Sequence, residues 1–161
     1  MVTIPAALKN LGLPEPDQIG FVVRDIDEAV ARYEPLFGPF KRTDFGINYA
    51  SYHGGPRSPY DMKFAFGRIG NLEIELIQWV SGDTPHRDFI QAGREGMHHI
   101  RFRVPKADPW VAKLKTIGYE PVWHDRLSDD IAYAYCERAG DPLILEIFEY
   151  PASGDGTDPL P

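Results

Sequence analysis

The chain has 161 residues, of which 43% are hydrophobic and 25% charged, and its net charge at pH 7 is −7. This length suits one compact domain, and the acidic balance argues against a nucleic-acid-binding protein, which usually presents a basic face. No apolar run approaches the ~18 residues of a membrane-spanning helix, and Cys136 is the one cysteine, so we expect a soluble cytoplasmic protein without a disulfide framework.

Composition divides the chain into five segments. Residues 1–16 contain Pro5, Pro14 and Pro16 and are predicted to be an extended lead-in, and residues 151–161 are predicted to be a flexible tail. Between them we expect a first folded unit over residues 17–80, a connecting segment with a short helix over residues 81–97, and a second folded unit over residues 98–150.

The first unit opens with a strand and a helix. Residues 18–24 alternate apolar and polar side chains, which is the period of a strand with one buried face. Asp25, followed three residues later by Glu28, predicts a helix N-terminus, and Pro35 with Gly38 predicts its end.

A long loop and a hairpin are predicted to complete the first unit. Residues 44–60 contain several glycines, prolines and tyrosines, and a loop of this length in a compact domain is often a lid or binding loop. Residues 63–68 and 72–79 are predicted to be strands, because each is rich in apolar residues and a turn centred on Gly70 separates them.

The second unit repeats the order strand, helix, strands. Residues 98–104 alternate, Asp108 is predicted to cap a helix that starts at Pro109, and Gly118 is predicted to end that helix. Two closing strands are predicted over residues 131–138 and 143–149.

The two units align with each other. Residues 18–38 lie over residues 99–118, which pairs Gln18 with His99, and the later strands pair Glu75 with Glu146. Because the apolar residues of each strand should pack against a helix, these four polar side chains point to the opposite face of the sheet. If the sheet curls with its helices outside, the four converge in its interior.

These segments resemble the vicinal oxygen chelate superfamily, the glyoxalase/bleomycin-resistance/dioxygenase proteins, and within it the methylmalonyl-CoA epimerases and their glyoxalase-like relatives. The resemblance covers about residues 17–150 and is carried by QIGFVVRDIDEAVARYEPLFG, NLEIELIQ, DFIQAGREGMHHIRFRV and DPLILEIFE. It implies an α+β fold in which two βαβββ modules form an open, cup-shaped mixed sheet with the helices outside.

The resemblance also implies one divalent metal ion inside the cup, with Gln18, Glu75, His99 and Glu146 as its ligands. Gln18 departs from the family pattern, in which this position is usually histidine. One imidazole, two carboxylates and one amide favour Mg, Mn, Co or Zn over a metal that needs several histidines. The same departure leaves open the alternative that the metal site has been lost.

A metal ion in such a cup predicts a lyase or isomerase that acts through an enolate next to the carbonyl of a small organic or thioester substrate. Glu146 or Glu75 is the candidate base. Arg101 points into the same interior, where it either holds a substrate carboxylate or phosphate or neutralises one of these glutamates. The resemblance further implies a CoA-ester substrate and a homodimer.

Aromatic residues make up 12% of the chain, which suggests a pocket for a flat or apolar substrate, although aromatic residues are more often part of the core. His53, His86 and His124 are expected at the surface or in loops. The aromatic side chains predicted to contact substrate are Tyr49, Tyr52, Trp79, Tyr133 and Tyr135.

Two other functions remain open. Gln18 also suits a metal-free ligand-binding or drug-sequestering protein of the same fold. A ring-cleaving dioxygenase with non-haem iron prefers two histidines and one carboxylate, and His99 is the one histidine at a predicted ligand position.

Overall fold

The computed structural model describes residues 10–151, so most of the predicted lead-in and almost all of the predicted tail lie outside the described residues. None of the helices within that range is long and apolar enough to cross a membrane. The elements are β1 (Gln18–Val22), α1 (Ile26–Phe37), β2 (Lys41–Asp44), β3 (Asn48–Tyr52), β4 (Ser58–Ile69), β5 (Leu72–Ser81), α2 (Pro85–Gln91), β6 (Gly96–Val104), α3 (Ala107–Lys115), β7 (Glu120–Arg126), β8 (Ala132–Glu137) and β9 (Ile144–Glu149).

The strands form one mixed sheet in the order β2-β4-β3-β7-β8-β9-β6-β1-β5, and β4 also pairs with β5. The pairing of β4 with both β3 and β5 closes eight strands into a barrel-like ring, and β2 lies beside it on β4. Helix α1 packs outside on β4 and β5, and α3 packs outside on β7, β8 and β9, whereas α2 contacts β5 and β1 and contributes Phe89 to the interior core. This agrees with the predicted cup-shaped mixed sheet, although four strands rather than three follow α1.

Strand alternation sorts side chains between the interior and the helices, as the sequence pattern predicts. On β5, Leu76 packs beneath α1, whereas its neighbour Ile77 lies in the interior core. On β9, Ile147 packs beneath α3, whereas Phe148 lies in the interior core. The same rule fixes the side chains that face the interior from the central strands.

The capping signal at the start of α1 is confirmed. The Asp25 carboxylate accepts hydrogen bonds from the backbone N–H groups of Asp27 and Glu28 at 2.9 and 3.0 Å. Pro35 does not end the helix, because it lies within the last turn. The helix ends at Phe37, and Gly38 follows as its cap.

The loop predicted over residues 44–60 is wrong in most of its length. Residues 48–52 form β3 and residues from 58 onward belong to β4, so short loops replace one long lid. The hairpin after it is confirmed, with Ile69 paired to Leu72 across Gly70, whose φ is +57°. The loop prediction failed because β3 is short and rich in polar residues, so its sequence shows no clear strand alternation.

Helix α3 is anchored by a carboxylate from the end of β9. The helix begins at Ala107, and Asp108, the predicted cap, lies inside the first turn. The backbone N–H of Ala107 donates to the Glu149 carboxylate at 2.9 Å. Glu149 also accepts from Lys106 at 2.8 Å and from Arg126 at 3.1 Å. The hydrogen bonds from Arg126 and then Lys106 lower the pKa of Glu149 to about 2.

Cys136 on β8 is a core residue. Its side chain is buried beneath α3, and burial raises the pKa of its thiol to about 12. A thiol with this pKa stays protonated at neutral pH and is a poor nucleophile.

Candidate active site

Four neighbouring strands, in the order β5, β1, β6 and β9, carry the predicted ligand positions into the interior. Their register forms two rows that lie two residues apart on β5, β1 and β6, so both rows face the same side. The first row is Glu73, Gln18, Arg101 and Glu146, and the second is Glu75, Gly20, His99 and Ile144.

The His99 imidazole joins the two rows. Its Nε2 lies 3.2 Å from Oε2 of Glu146 and 3.4 Å from Oε2 of Glu75. The Tyr135 hydroxyl lies 3.4 Å from the same nitrogen. Glu75, His99 and Glu146 are therefore brought together, and His99 is fully buried.

Glycine at position 20 makes this arrangement possible. A Cβ at Gly20 would lie 1.9 Å from Cε1 of His99, because the imidazole covers the place where a side chain would stand. The ring thus crosses β1 above Gly20 and reaches Glu75 on the far strand.

The carboxylates control the charge of His99. Burial by itself would lower the pKa of His99, but hydrogen bonds to Glu146 and Glu75 outweigh this effect and raise it to about 9. Without a bound cation, His99 is therefore an imidazolium at neutral pH, and its Nε2–H donates to the carboxylates.

A second histidine fixes the other side of the His99 ring. Nδ1 of His98 lies 3.1 Å from Nδ1 of His99. Burial lowers the pKa of His98 well below its ordinary value, so His98 is neutral. Since His99 Nε2 faces the carboxylates, the consistent arrangement has His99 Nδ1–H donating to His98, which leaves Nε2 directed at Glu75 and Glu146.

His86 completes this buried group, although the sequence placed it at the surface or in a loop. It is fully buried on α2, and its Nε2 lies 3.3 Å from the Tyr135 hydroxyl. The prediction was wrong because α2 packs this side chain against the barrel, a tertiary contact that a short polar helix does not reveal. Burial lowers its pKa as well.

His86, His98 and His99 have potential ligand atoms within 4.8 Å of one another and could hold a metal ion. However, the His86 and His98 rings are stacked, with centroids 4.9 Å apart and planes 24° from parallel. Lone pairs in two such planes run side by side instead of converging on one ion. The geometry therefore favours the opposite side of His99, where Nε2 meets two carboxylates.

The Gln18 side-chain amide uses its nitrogen in a hydrogen bond, but its oxygen has no partner within residues 10–151. Its Nε2 donates to Glu73 at 2.8 Å, whereas its buried Oε1 has no hydrogen-bond partner within residues 10–151. A buried carbonyl oxygen without a partner is costly unless a ligand satisfies it. An amide oxygen is also a suitable ligand for a hard divalent cation.

Arg101 is already paired. Its guanidinium donates to both carboxylate oxygens of Asp17, at 3.0 and 2.9 Å, and lies 3.5 Å from Glu73. Its Cζ also lies 4.7 Å from the ring centre of Phe148. Burial alone would lower the pKa of Arg101, but the hydrogen bonds to Asp17 raise it, so the charge persists. These contacts match the neutralising role, with Asp17 and Glu73 in place of Glu75 or Glu146.

The interior opens into a cavity of about 270 Å³, which we call the barrel cavity. Its charged and amide-bearing lining residues, among those the structure describes, are Asn48, Glu75, Arg101 and Glu146. Three of its aromatic residues come from β4, namely Tyr60, Phe64 and Phe66, and two come from β8, namely Tyr133 and Tyr135. Phe45, Trp123 and Phe148 complete the aromatic lining, and Leu127 lies with them.

Two of the five predicted aromatic contacts, Tyr133 and Tyr135, line this cavity. The other three lie elsewhere: Tyr49 is 48% exposed, the Tyr52 hydroxyl donates to Asp88 at 2.6 Å, and the Trp79 indole donates to the Gly82 carbonyl at 2.9 Å. The sequence missed the phenylalanines of β4, although their alternation at positions 64 and 66 predicts a shared face.

Solved structures share this fold. A hypothetical protein from Bacillus halodurans C-125 superimposes with a TM-score of 0.61 at 23% identity, covering 88% of this chain and 97% of its own. Streptomyces coelicolor methylmalonyl-CoA epimerase in complex with 2-nitronate-propionyl-CoA gives 0.61 at 18%, covering 88% and 97%. Methylmalonyl-CoA epimerase from Mycobacterium tuberculosis gives 0.60 at 17%, covering 91% and 96%.

Sequence comparison defines the family. An uncharacterized protein of Bacillus subtilis, YqjC, is 29% identical over 86 residues, which are 53% of this chain and 54% of that protein. The chain thus spans about half the length of this curated relative. Residues 17–135 match the Glyoxalase/Bleomycin resistance protein/Dioxygenase superfamily. The match and the geometry agree, and the chain belongs to this superfamily, the vicinal oxygen chelate proteins.

Proposed function

We propose that this protein is a divalent-metal-dependent isomerase or lyase of the epimerase or glyoxalase type, which moves a proton next to a substrate carbonyl. One observation carries the proposal: beside the barrel cavity, His99 Nε2 lies 3.4 Å from Oε2 of Glu75 and 3.2 Å from Oε2 of Glu146. The fold shared with methylmalonyl-CoA epimerases supports this reaction class.

The residues present fit a divalent cation. Glu75 and Glu146 supply carboxylate oxygens and His99 supplies Nε2, while the orphaned Oε1 of Gln18 supplies a fourth donor. This set of one nitrogen and three oxygens suits Mg, Mn, Co or Zn. A bound cation would supply Lewis-acid stabilisation of negative charge on a substrate oxygen.

The side chains of the cavity provide the proton transfer. The carboxylate of Glu75 or Glu146 that is less engaged with the cation takes the proton from the carbon next to the carbonyl. Burial raises the pKa of the Tyr133 and Tyr135 hydroxyls, so both remain protonated and able to donate hydrogen bonds to an oxygen that gains charge. Epimerisation follows when the other carboxylic acid of the pair delivers a proton to the opposite face of the same carbon, and isomerisation follows when the proton is delivered to the neighbouring carbon.

Metal titration and hydrogen exchange test this proposal. Protein purified without chelator is titrated with Mg, Mn, Co and Zn by calorimetry, and exchange of the proton next to the carbonyl with deuterium is followed by NMR in methylmalonyl-CoA and hydroxyacetone. We expect one ion per chain and exchange that depends on it. Absence of binding by all four ions, together with absence of exchange, would contradict the proposal.

Two glutamine variants separate the base from the ligands. Glu75→Gln and Glu146→Gln are each assayed for ion affinity and for deuterium exchange. The variant that keeps the ion but loses exchange identifies the base, and a variant that loses both identifies a ligand. Glu28→Gln, on the exposed face of α1, is the matched control and should change neither quantity.

A metal-free binding protein is the second candidate. Its support is that the His99 imidazolium satisfies both glutamates without an added cation. For this function, ligand affinity should be the same with and without chelator and should survive Glu146→Gln. The metal-dependent enzyme should instead lose ion binding and turnover in that variant.

A further inference from the structure

Most of the residues that line the barrel cavity are aromatic, and fewer are charged or carry an amide. Eight aromatic residues and one leucine border it, against four polar residues. Phe45 packs edge-to-face on Phe64, with ring centres 5.1 Å apart, and Phe64 is stacked with Phe66 at 6.1 Å. Such walls offer water few hydrogen-bond partners, so an apolar ligand surface gains by replacing it.

The outer part of the cavity continues these apolar walls. Phe45 is 38% exposed and Leu127 is 50% exposed, and both still line the cavity. Exposed apolar side chains that border a concave site are typical of a surface that a ligand covers. The aromatic character therefore extends from the glutamates to the mouth.

The charges around the cavity disfavour an anionic ligand. Four carboxylates, those of Asp17, Glu73, Glu75 and Glu146, face two cations in the metal-free protein, His99 and Arg101. Arg101 is engaged by both oxygens of Asp17 and approached by Glu73, which leaves no unpaired positive charge for a carboxylate or phosphate. A neutral ligand avoids this repulsion.

We propose that the substrate is a compact, uncharged molecule with an aromatic ring beside two adjacent oxygens. The ring lies against Phe64 and Phe66, and the oxygens face Glu75 and Glu146. The oxygen pair rests on the proposed function, whereas the ring rests on the cavity walls alone. A volume of about 270 Å³ suits one ring with a short polar group.

A matched pair of ligands tests the ring. 2-Hydroxyacetophenone and hydroxyacetone share the polar group, and the first carries a phenyl ring in place of a methyl group. Calorimetry on metal-free protein should show binding of 2-hydroxyacetophenone at least about 10-fold tighter, because the ring buries apolar surface. Equal affinities would overturn the proposal.

Two further ligands test charge and size on the same metal-free protein. Benzoylformate has a phenyl ring and adjacent oxygens but carries a negative charge, and we expect it to bind more weakly than 2-hydroxyacetophenone. Propionyl-CoA tests a thioester, and we expect no preference for it. Tighter binding of either ligand than of 2-hydroxyacetophenone would overturn the proposal.

Leucine variants locate the ring. Phe64→Leu and Phe66→Leu keep apolar volume but remove the aromatic wall, and each should reduce the preference for 2-hydroxyacetophenone at least about threefold. Tyr33→Leu, on α1 outside the barrel, is the control and should leave the preference unchanged. A preference that survives both phenylalanine variants would contradict the proposal.

The readouts separate this inference from the proposed function. Ring-dependent binding without metal-dependent exchange supports the aromatic ligand and contradicts the enzyme. Metal-dependent exchange in methylmalonyl-CoA without ring-dependent binding supports the enzyme and contradicts the aromatic ligand.

Discussion

The His99 imidazole occupies the space above Gly20, where an added Cβ would lie 1.9 Å from Cε1 of the ring. The two residues are register partners on β1 and β6, so neither strand can shift to relieve a clash without breaking the barrel. The site therefore depends on a residue that has no functional group of its own.

Gly20→Ala should displace His99 from the two glutamates. We expect the affinity for a divalent cation to fall at least about 10-fold, or about 1.4 kcal/mol, and the free energy of unfolding to fall by about 1–3 kcal/mol through overpacking. Calorimetry and urea denaturation measure the two effects. Gly55→Ala is the control, because its Cβ would meet only the Tyr52 carbonyl oxygen, at 3.1 Å. Unchanged metal affinity in Gly20→Ala would contradict the placement of His99.

His98→Leu should lower the affinity for a divalent cation, although His98 is not one of the proposed ligands. The His98 ring accepts from Nδ1 of His99 at 3.1 Å and so holds Nε2 toward the carboxylates. Loss of such an outer partner typically lowers metal affinity about 10–100-fold. The exposed His124 gives the control variant His124→Leu, which should bind metal normally. Equal affinity in both variants would show that His98 does not orient His99.

The stability of the metal-free protein should fall as the pH rises through about 9. The folded-state pKa of His99 is about 9 against an ordinary 6.5, so its ion pairs stabilise the fold fully below pH 6.5 and are lost as the ring deprotonates. Urea denaturation in chelator should show a loss of at most on the order of 3 kcal/mol between pH 6.5 and 10. The same scan of His99→Gln should be flatter, and parallel curves would contradict the raised pKa.

Glu149→Gln should loosen the attachment of α3 to β9. The substitution removes a carboxylate that accepts from Ala107, Lys106 and Arg126, and we expect a loss of about 1–3 kcal/mol at pH 7. The folded-state pKa lies near 2, below the ordinary 4.5, so the contribution is present above pH 4.5 and disappears as the pH falls toward 2.

Chemical denaturation across this pH range measures the Glu149 effect. Glu120→Gln is the matched control, because Glu120 pairs with Lys115 at 3.6 Å at the surface, where such pairs contribute little. A loss in Glu149→Gln that stays constant from pH 7 to pH 2 would show that the carboxylate charge is not responsible.

Most of the site prediction depended on the alternation of apolar and polar residues along the strands. Where strands alternate clearly, as on β1, β5 and β9, the sequence predicts the face of each side chain, and it brought Glu75, His99 and Glu146 to one place. It failed for β3 and β7, because both strands are rich in polar residues, β3 is short, and Pro121 interrupts the alternation of β7. Tyr49 and Tyr52, both predicted to contact substrate, are on β3 and do not line the barrel cavity.

Other features needed the folded structure. The sequence left open whether Arg101 holds a substrate anion or neutralises Glu75 or Glu146. In the structure its guanidinium donates to Asp17 and Glu73, and Asp17 precedes β1 at a position that no strand pattern selects. The contact of His98 with His99 is likewise invisible in sequence, since adjacent residues on a strand normally point to opposite faces.

The difference between Gly20 and Arg101 makes the two halves of the site unequal. The sequence alignment of the halves pairs these positions, yet one provides empty space and the other a buried cation. A symmetric pair of identical half-length subunits could hold only two glycines or two arginines there. The site therefore needs two halves that differ in sequence, and a single chain that contains both halves provides them.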